Sequence, residues 1–289
     1  NGALESAEQC DDGNLDGFDG CSPTCQIDGT CAAPIEVAVP LGTTTIKGDT
    51  TNGGSTLSSQ SGACQGSAGP ELVLRIVPQA SGIFTAYLPS DKTSFDAVLY
   101  ASQQCPPPND ARCHDNYGTP GDNGGEVLSF GVTMGMPFHL VIDGYQVGEL
   151  GEFELSLDIS SGDTCADPVP IVVEGSADID LFGRTNGLVN NASSNGLCGF
   201  AGAGPDIVYQ VLALAADDYD ADLTPLTNFN TVLHARTTCD SQDSQIACSS
   251  PALQDSSSIS YDQAANQTIY IWVDGTSNNA GSYNLEISH

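Results

Sequence analysis

The residues best suited to chemistry lie near the start of the chain. Asp12-x-Asn14-x-Asp16-Gly17 sets hard oxygen ligands at alternate positions and follows them with a glycine for a sharp turn, which is the first half of a calcium loop. Pro23 stands at the loop position where a standard EF-hand needs a bidentate Glu, so Asp11, Asp19 or the Phe18 carbonyl has to complete any shell. The bland alternative is an acidic, disulfide-held turn without metal. A zinc site from Cys10, Cys21 and Cys25 is a poorer reading, because oxidising surroundings favour disulfides. Asp115 and Asn116, with Asp122 and Asn123 in the same Gly-rich loop, form a second set of hard ligands. Ca²⁺ is therefore the expected cofactor, with Asp11, Asp12, Asn14, Asp16, Asp19, Asp115 and Asn116 as candidate ligands.

Other chemistry finds little footing. Nucleophilic catalysis needs a base, and only His114, His139, His234 and the terminal His289 are available. There is no Gly-x-Ser-x-Gly elbow, His-Glu-x-x-His pair, Walker loop or dinucleotide fingerprint, so an enzyme is not expected. Asp218-x-Asp220-x-Asp222 imitates ligand spacing, but in a strand such side chains stand about 7 Å apart along one face and cannot share a shell. Asp143 and Asp274, each followed by Gly, read either as turn-capping acids or as ligands. Asn191-Ala192-Ser193 and Asn266-Gln267-Thr268 are sequons, read here as unmodified. The 37 Asp and Glu against six Lys and Arg give a net charge of −31. So few cations exclude nucleic-acid binding and polybasic membrane docking. No run of apolar residues is long enough for a membrane span.

The elements that must carry these residues come from a repeat. Cys31, Cys64, Cys105 and Cys113 are spaced by 33, 41 and 8 residues, and Cys165, Cys198, Cys239 and Cys248 by 33, 41 and 9. Gly69-Pro70-Glu71 answers Gly204-Pro205-Asp206, Phe95–Leu99 answers Phe229–Leu233, and Leu140–Gly144 answers Ile271–Gly275. Two homologous copies follow, 31–161 and 162–289, behind an acidic Cys-rich module at 1–30. Within them the apolar period is two: Phe153, Leu155 and Leu157 alternate with Glu152, Glu154 and Ser156, as Tyr219, Ala221 and Leu223 do with aspartates. Half-buried antiparallel strands, about eight per copy and without a helical stripe, predict an all-β fold of two tandem jelly-roll-like β-sandwiches.

Two family resemblances rest on these residues. The Gly-Pro-acid strand, the Phe-Asp/Asn-x-Val-Leu strand, the small two-cysteine loop, the Val/Ile-Asp-Gly strand and the closing Gly-x-Tyr/Phe-x-Leu strand resemble the bacterial pre-peptidase C-terminal domain. The likeness covers both copies. It implies extracellular β-sandwiches attached to secreted peptidases or repeated in surface proteins, some of whose relatives bind calcium, collagen or polysaccharide. Such domains often follow the second loop cysteine with acidic residues; the first copy has Cys113-His114-Asp115-Asn116, and the second has Cys248-Ser249-Ser250. Glu8-Gln9-Cys10-Asp11-Asp12-Gly13-Asn14 through Cys25 resembles the short cysteine-rich repeat of myxobacterial and related surface proteins. That pattern opens Cys-Gly-Asn-Gly, so its first cysteine is expected just upstream of Asn1, and one of Cys10, Cys21 and Cys25 needs a partner from elsewhere.

Together these readings give a secreted, non-enzymatic structural or adhesive protein, expected outside the cell with its export signal removed. Polymerisation with copies of itself is expected through the N-terminal module and through sheet edges. The rival is a carbohydrate- or collagen-binding appendage of a secreted hydrolase. It predicts an exposed aromatic platform to which Trp272 and Tyr270 contribute. The repeat also assigns disulfides: Cys31–Cys64 and Cys165–Cys198 across the long gaps, Cys105–Cys113 and Cys239–Cys248 across the short ones.

Overall fold

A computed structural model describes residues 2, 4–55, 57, 69–108, 111–115, 125–192, 194, 202–250 and 256–289. Among these the regular structure is β throughout, interrupted by two three-residue 3₁₀ turns at Ser90–Lys92 and Gln242–Ser244. One compact unit comprises Asn1–Ala80, Ala86–Leu128 and Thr133–Asp158, and the other Ser81–Thr85, Ser129–Val132 and Ile159–His289.

The first copy contributes β1 (Ile35–Val39), β2 (Gly42–Asp49), β3 (Leu72–Pro78), β4 (Gly82–Leu88), β5 (Ala97–Ser102), β6 (Arg112–His114), β7 (Glu126–Val132), β8 (Phe138–Gly144) and β9 (Glu152–Ser160). The second contributes β10 (Val169–Val173), β11 (Ile179–Arg184), β12 (Ile207–Ala213), β13 (Asp217–Pro225), β14 (Thr231–Arg236), β15 (Gln245–Ser249), β16 (Ser257–Gln263), β17 (Gln267–Gly275) and β18 (Ser282–Ser288). The described residues of each copy thus hold nine strands where about eight were expected.

Strand order repeats as the sequence does. The five-stranded sheet of the first copy runs β1-β3-β8-β5-β6, and that of the second runs β10-β12-β17-β14-β15. The remaining strands follow the orders β7-β4-β9-β2 and β16-β13-β18-β11. One pair in each five-stranded sheet departs from the antiparallel expectation: β1 lies parallel to β3, and β10 parallel to β12. In both cases the intervening strand, β2 or β11, belongs to the other sheet, so the chain leaves and returns in the same direction.

Burial explains which strands were easy to read. In β18 and β16 buried and open positions alternate strictly, as for a sheet with one wet face. Central strands β5 and β14 are buried at nearly every position, because both faces of these strands are covered and no alternation survives. Glycine permits close approaches in each copy. A Cβ on Gly48 of β2 would lie 2.5 Å from the Phe153 ring, and one on Gly183 of β11 would collide with the Tyr283 hydroxyl. Tyr283 in turn shares a hydrogen bond of 2.8 Å with Tyr209, both fully buried.

Candidate cation sites and the cysteine framework

The N-terminal loop is organised by its own carboxylates. Asp11 Oδ1 accepts the Gly2 and Gly13 amides at 3.0 and 2.9 Å, Asp12 Oδ1 accepts the Asn14 amide at 3.1 Å, and Asn14 Oδ1 accepts the Asp16 amide at 2.5 Å. The bonds to the Gly13, Asn14 and Asp16 amides are Asx turns, the local reason for Asp and Asn at alternate positions. Asn14 Nδ2 donates to Asp19 Oδ2 at 3.0 Å, and Asp19 Oδ1 accepts the Cys21 amide at 3.2 Å. Asp19 is buried, which pushes its carboxyl above the usual range with help from the adjoining Asp12. The hydrogen bond from Asp19 holds Asp12 below that range. A protonated Asp19 beside an ionised Asp12 is one way to keep two such groups together, and a cation is the other.

Asp12, Asn14, Asp16 and Asp19 line one cleft of about 930 Å³, together with Lys47, Asp49, Glu152 and Glu154. Asp11 is absent from that lining and faces a smaller cavity of about 340 Å³ beside Cys10 and Cys21. Of the groups expected to complete a shell begun by Asp12, Asn14 and Asp16, Asp19 and Phe18 line the same cleft and Asp11 does not. Among the described residues no three His, Cys, Asp or Glu side chains form a ready-made metal cluster. Asp115 is described, and Asn116, Asp122 and Asn123 lie outside the described residues. The cleft also contains Lys47, ion-paired with Glu154 at 3.0 Å, and Lys92, paired with Asp91 at 2.7 Å. Nothing in the local sequence of the loop pointed to these cations, because they come from β2 and the first 3₁₀ turn.

The cysteine assignment is overturned. Cys31 is bonded to Cys105 and Cys165 to Cys239, each across 74 residues, with Cα atoms 5.4 and 5.8 Å apart. These bonds exclude Cys31–Cys64, Cys105–Cys113, Cys165–Cys198 and Cys239–Cys248. Cys113 and Cys248 are also in disulfides, while Cys64 and Cys198 lie outside the described residues. Loop closure costs only slowly more as a loop lengthens, so sequence proximity could not rank the bridges. Position on the sheet does. In the first copy the bridge lies against Val73, Val98, Tyr100 and Val141, and in the second against Val208 and Trp272. Cys10 bonds Cys21, and Cys25 is the free thiol among the described residues, its pKa pushed up by desolvation and by Glu8.

The same sheet face in each copy carries two acids that the repeat had flagged only as matching text. Leu72 pairs with Ile142, and Ile207 with Val273, so Glu71 stands opposite Asp143 and Asp206 opposite Asp274. All four are buried. In the first copy Tyr100 Oη donates to Asp143 Oδ2 at 2.9 Å, and the Leu57 amide donates to Glu71 Oε1 at 3.2 Å. In the second, Asp206 Oδ2 accepts the Asn191 and Ala192 amides at 2.8 and 2.7 Å, and Asp274 Oδ1 accepts the Gly275 amide at 2.6 Å. Among the described residues Asp143 Oδ1 and Asp206 Oδ1 accept no hydrogen bond, and Asp274 Oδ2 is packed against Gly202, where a Cβ would collide with it. Burial pushes Asp143 up to about 7, Asp206 to about 6 and Asp274 to about 8, with the opposing acid adding to the rise for Asp143 and Asp274.

Trp272 is 2 % exposed, so the expected aromatic platform fails at its main residue. Its ring packs beside His234, centroids 6.1 Å apart, and beneath the Arg236 guanidinium at 5.4 Å. Among the described residues, the large apolar side chains that are exposed include no aromatic ring. His139 and His234 lie in strands as expected. His114 was not foreseen as a buried group: its Nδ1 lies 2.7 Å from Glu126 Oε2.

No protein-family profile matches the chain, and no curated protein sequence does. Among solved structures it is similar to the pre-peptidase C-terminal domain of a collagenase from Bacillus anthracis, at 12 % identity and a TM-score of 0.29, over 42 % of this chain and 96 % of that one. It is also similar to the tandem CBM22 domains of Xyn10C from Paenibacillus barcinonensis, at 11 % identity and a TM-score of 0.22, over 76 % and 82 % of the two chains. An isomalto-dextranase from Arthrobacter globiformis T6, complexed with panose, matches at 7 % identity and a TM-score of 0.23, over 75 % of this chain and 34 % of that one.

Proposed function

We propose that this chain is a secreted, non-enzymatic structural or adhesive protein that acts through its surface. In this reading two tandem, jelly-roll-like sandwiches of the pre-peptidase C-terminal type, 31–161 and 162–289, stand behind a calcium-holding loop of the myxobacterial cysteine-rich type. The observation that carries it is the meeting of Asp12 and Asp19, with Asn14 and Asp16, in one acidic cleft. Two carboxylates in contact call for a proton or a cation, and the DxNxD spacing suits Ca²⁺. The segment is also tied into the adjoining strands: the Asp49 amide donates to the Phe18 carbonyl at 2.9 Å and the Val73 amide to the Gly29 carbonyl at 2.8 Å. A cation there orders an N-terminal surface from which contacts with another copy are made, with Cys25 and unpaired sheet edges as further routes.

The carbohydrate- or collagen-binding reading loses its clearest support with the burial of Trp272. Calorimetry and light scattering decide between the two. Ca²⁺ uptake that is lost in Asp12→Ala with Asp16→Ala, together with Ca²⁺-dependent polymers of the native protein, is the expected outcome. A monomer at high concentration with Ca²⁺ present overturns assembly and returns the reading to a binding module.

A further inference from the structure

Two buried acids pin the connection between β11 and β12 to the sheet of the second copy. At its near end Asp206 Oδ2 accepts the Asn191 and Ala192 amides at 2.8 and 2.7 Å, and the Val189 amide donates to Asp163 Oδ1 at 2.8 Å. At its far end the Ala203 and Gly204 amides donate to the Gly275 carbonyl at 3.0 and 2.8 Å. Gly202 lies so close to Asp274 Oδ2 that a Cβ there would collide with the carboxyl. The pinned connection reaches the chain's single tryptophan, because Ala192 packs in one buried cluster with Val208, Cys239 and Trp272. Part of what buries Trp272 is thus a strap held by carboxyl groups.

These pins hold only while one of the two acids is neutral. Asp206 and Asp274 stand opposite each other at 0 % exposure, and like charges directly across a strand pair destabilise it, their Cβ atoms being only about 5 Å apart. The surrounding charges do not relieve this. Asp163 adds negative charge beside Asp206, and Arg236 of β14 is shared among Asp206, Asp240 and Asp274 while its Nη1 donates to the Cys239 carbonyl at 3.0 Å. His234, beside Arg236 on β14, is kept neutral by burial, its pKa pulled down to about 3. Burial pushes Asp206 up to about 6 and Asp274 to about 8, so the pair carries a proton at neutral pH. A carboxyl raised in this way favours the closed form at low pH, and that contribution is lost as pH rises through its folded value.

We infer that the β11–β12 connection, at residues 189–192 and 202–206, is a proton-latched strap: a proton on the Asp206/Asp274 pair holds it down, and loss of that proton lifts it from Trp272. The strap yields before the sheet does, since β12 and β17 are paired along their whole length and Gly202 is packed directly on the Asp274 carboxyl. The face beneath carries Trp272 with the partly buried Tyr270, so an aromatic surface is presented only when the strap is up. The first copy has the same layout with a donor supplied. There the Leu57 amide donates to Glu71 Oε1 at 3.2 Å, Leu57 packs with Val73, Tyr100 and Val141, and the Tyr100 hydroxyl donates to Asp143. An ionised Asp143 keeps that partner, and the latch therefore belongs to the second copy.

Trp272 reports the strap in the full-length protein. Its emission maximum and its quenching by acrylamide are followed from about pH 5 to about pH 9.5, alongside hydrogen exchange read by mass spectrometry and corrected for the intrinsic effect of pH. The expected result is blue emission on the acid side, then a red shift with a rise of roughly threefold or more in the quenching constant between about pH 7 and pH 9. Peptides carrying residues 189–192 and 202–206 should lose protection over the same interval while β12 and β17 keep theirs. Asp274→Asn, neutral at every pH, should abolish the step and retain the blue emission. Flat emission and quenching across the window overturn the inference, as does a step that survives in Asp274→Asn. Loss of protection in all strands together is global unfolding and overturns it equally. If Asp274→Asn does not fold, exchange in the wild type decides: strap protection that stays constant with pH overturns the latch.

Discussion

The two copies place opposed acids at the same point of the same sheet and resolve them by different means. In the first, Tyr100 reaches across from β5 to donate to Asp143. In the second, His234 occupies the matching register on β14 and turns its ring against Trp272. One residue type thus separates a pair with a side-chain hydroxyl donor from a pair held by main-chain amides. Repetition of a fold does not carry its polar bookkeeping with it, because a strand register is kept by apolar neighbours that neither substitution disturbs.

The largest effect that tests this comparison comes from the bridges that cover both faces. Removing Cys165–Cys239 or Cys31–Cys105 by paired Ser substitution should lower stability by about 4 kcal/mol, the loop-closure value for a 74-residue separation. Denaturant melts measure it. The Cys165–Cys239 variant should also shift the emission of Trp272, which lies against that bridge, and the other variant should not. Equal shifts in both would mean that the two faces are not independent environments.

Next in size is the dependence on pH. Asp143, Asp206 and Asp274 are raised to about 7, 6 and 8, chiefly by burial, against about 3.9 in an unfolded chain. A carboxyl raised in the folded state stabilises fully below its unfolded value, and that contribution is lost as pH rises through the folded value. The protein should therefore lose stability progressively between about pH 4 and pH 8, followed by thermal melts. Asp274→Asn should remove the part of the loss above pH 7, where Asp274 alone of the three still titrates. A profile that rises with pH over this window would contradict the burial argument.

The smallest effect converts one copy into the other. Tyr100→Phe leaves Asp143 without its donor and should cost about 1–2 kcal/mol. It should also move the Asp143 titration further up, since the Tyr100 hydrogen bond opposes its rise. Carboxyl NMR in the variant checks this, with Asp274 as the unmoved control.

Alternation in β9, β13 and β18 was legible because one face of each is wet, and the class of fold followed from that. β5 and β14 gave no such signal, since burial on both faces erases the period. The parallel pairs β1/β3 and β10/β12 were invisible for a different reason. Strand direction depends on which sheet the intervening strand joins, and no local pattern encodes that. At the N-terminus the Asx spacing of Asp12, Asn14 and Asp16 was readable, whereas Lys47 and Glu154 reach the same cleft from strands distant in the chain.

Composition, cysteine spacing and apolar period determined by themselves an acidic, all-β, twice-repeated chain, because each of these is a property of neighbours along the sequence. The sequence also marked Glu71, Asp143, Asp206 and Asp274 as recurring residues without saying that they meet. Only the tertiary structure decided that Cys31 joins Cys105, that Trp272 is covered, and that Asp206 faces Asp274 with an oxygen to spare. Those outcomes depend on register and on which face a connection crosses, and a one-residue slip in either would send every one of these side chains to the opposite face.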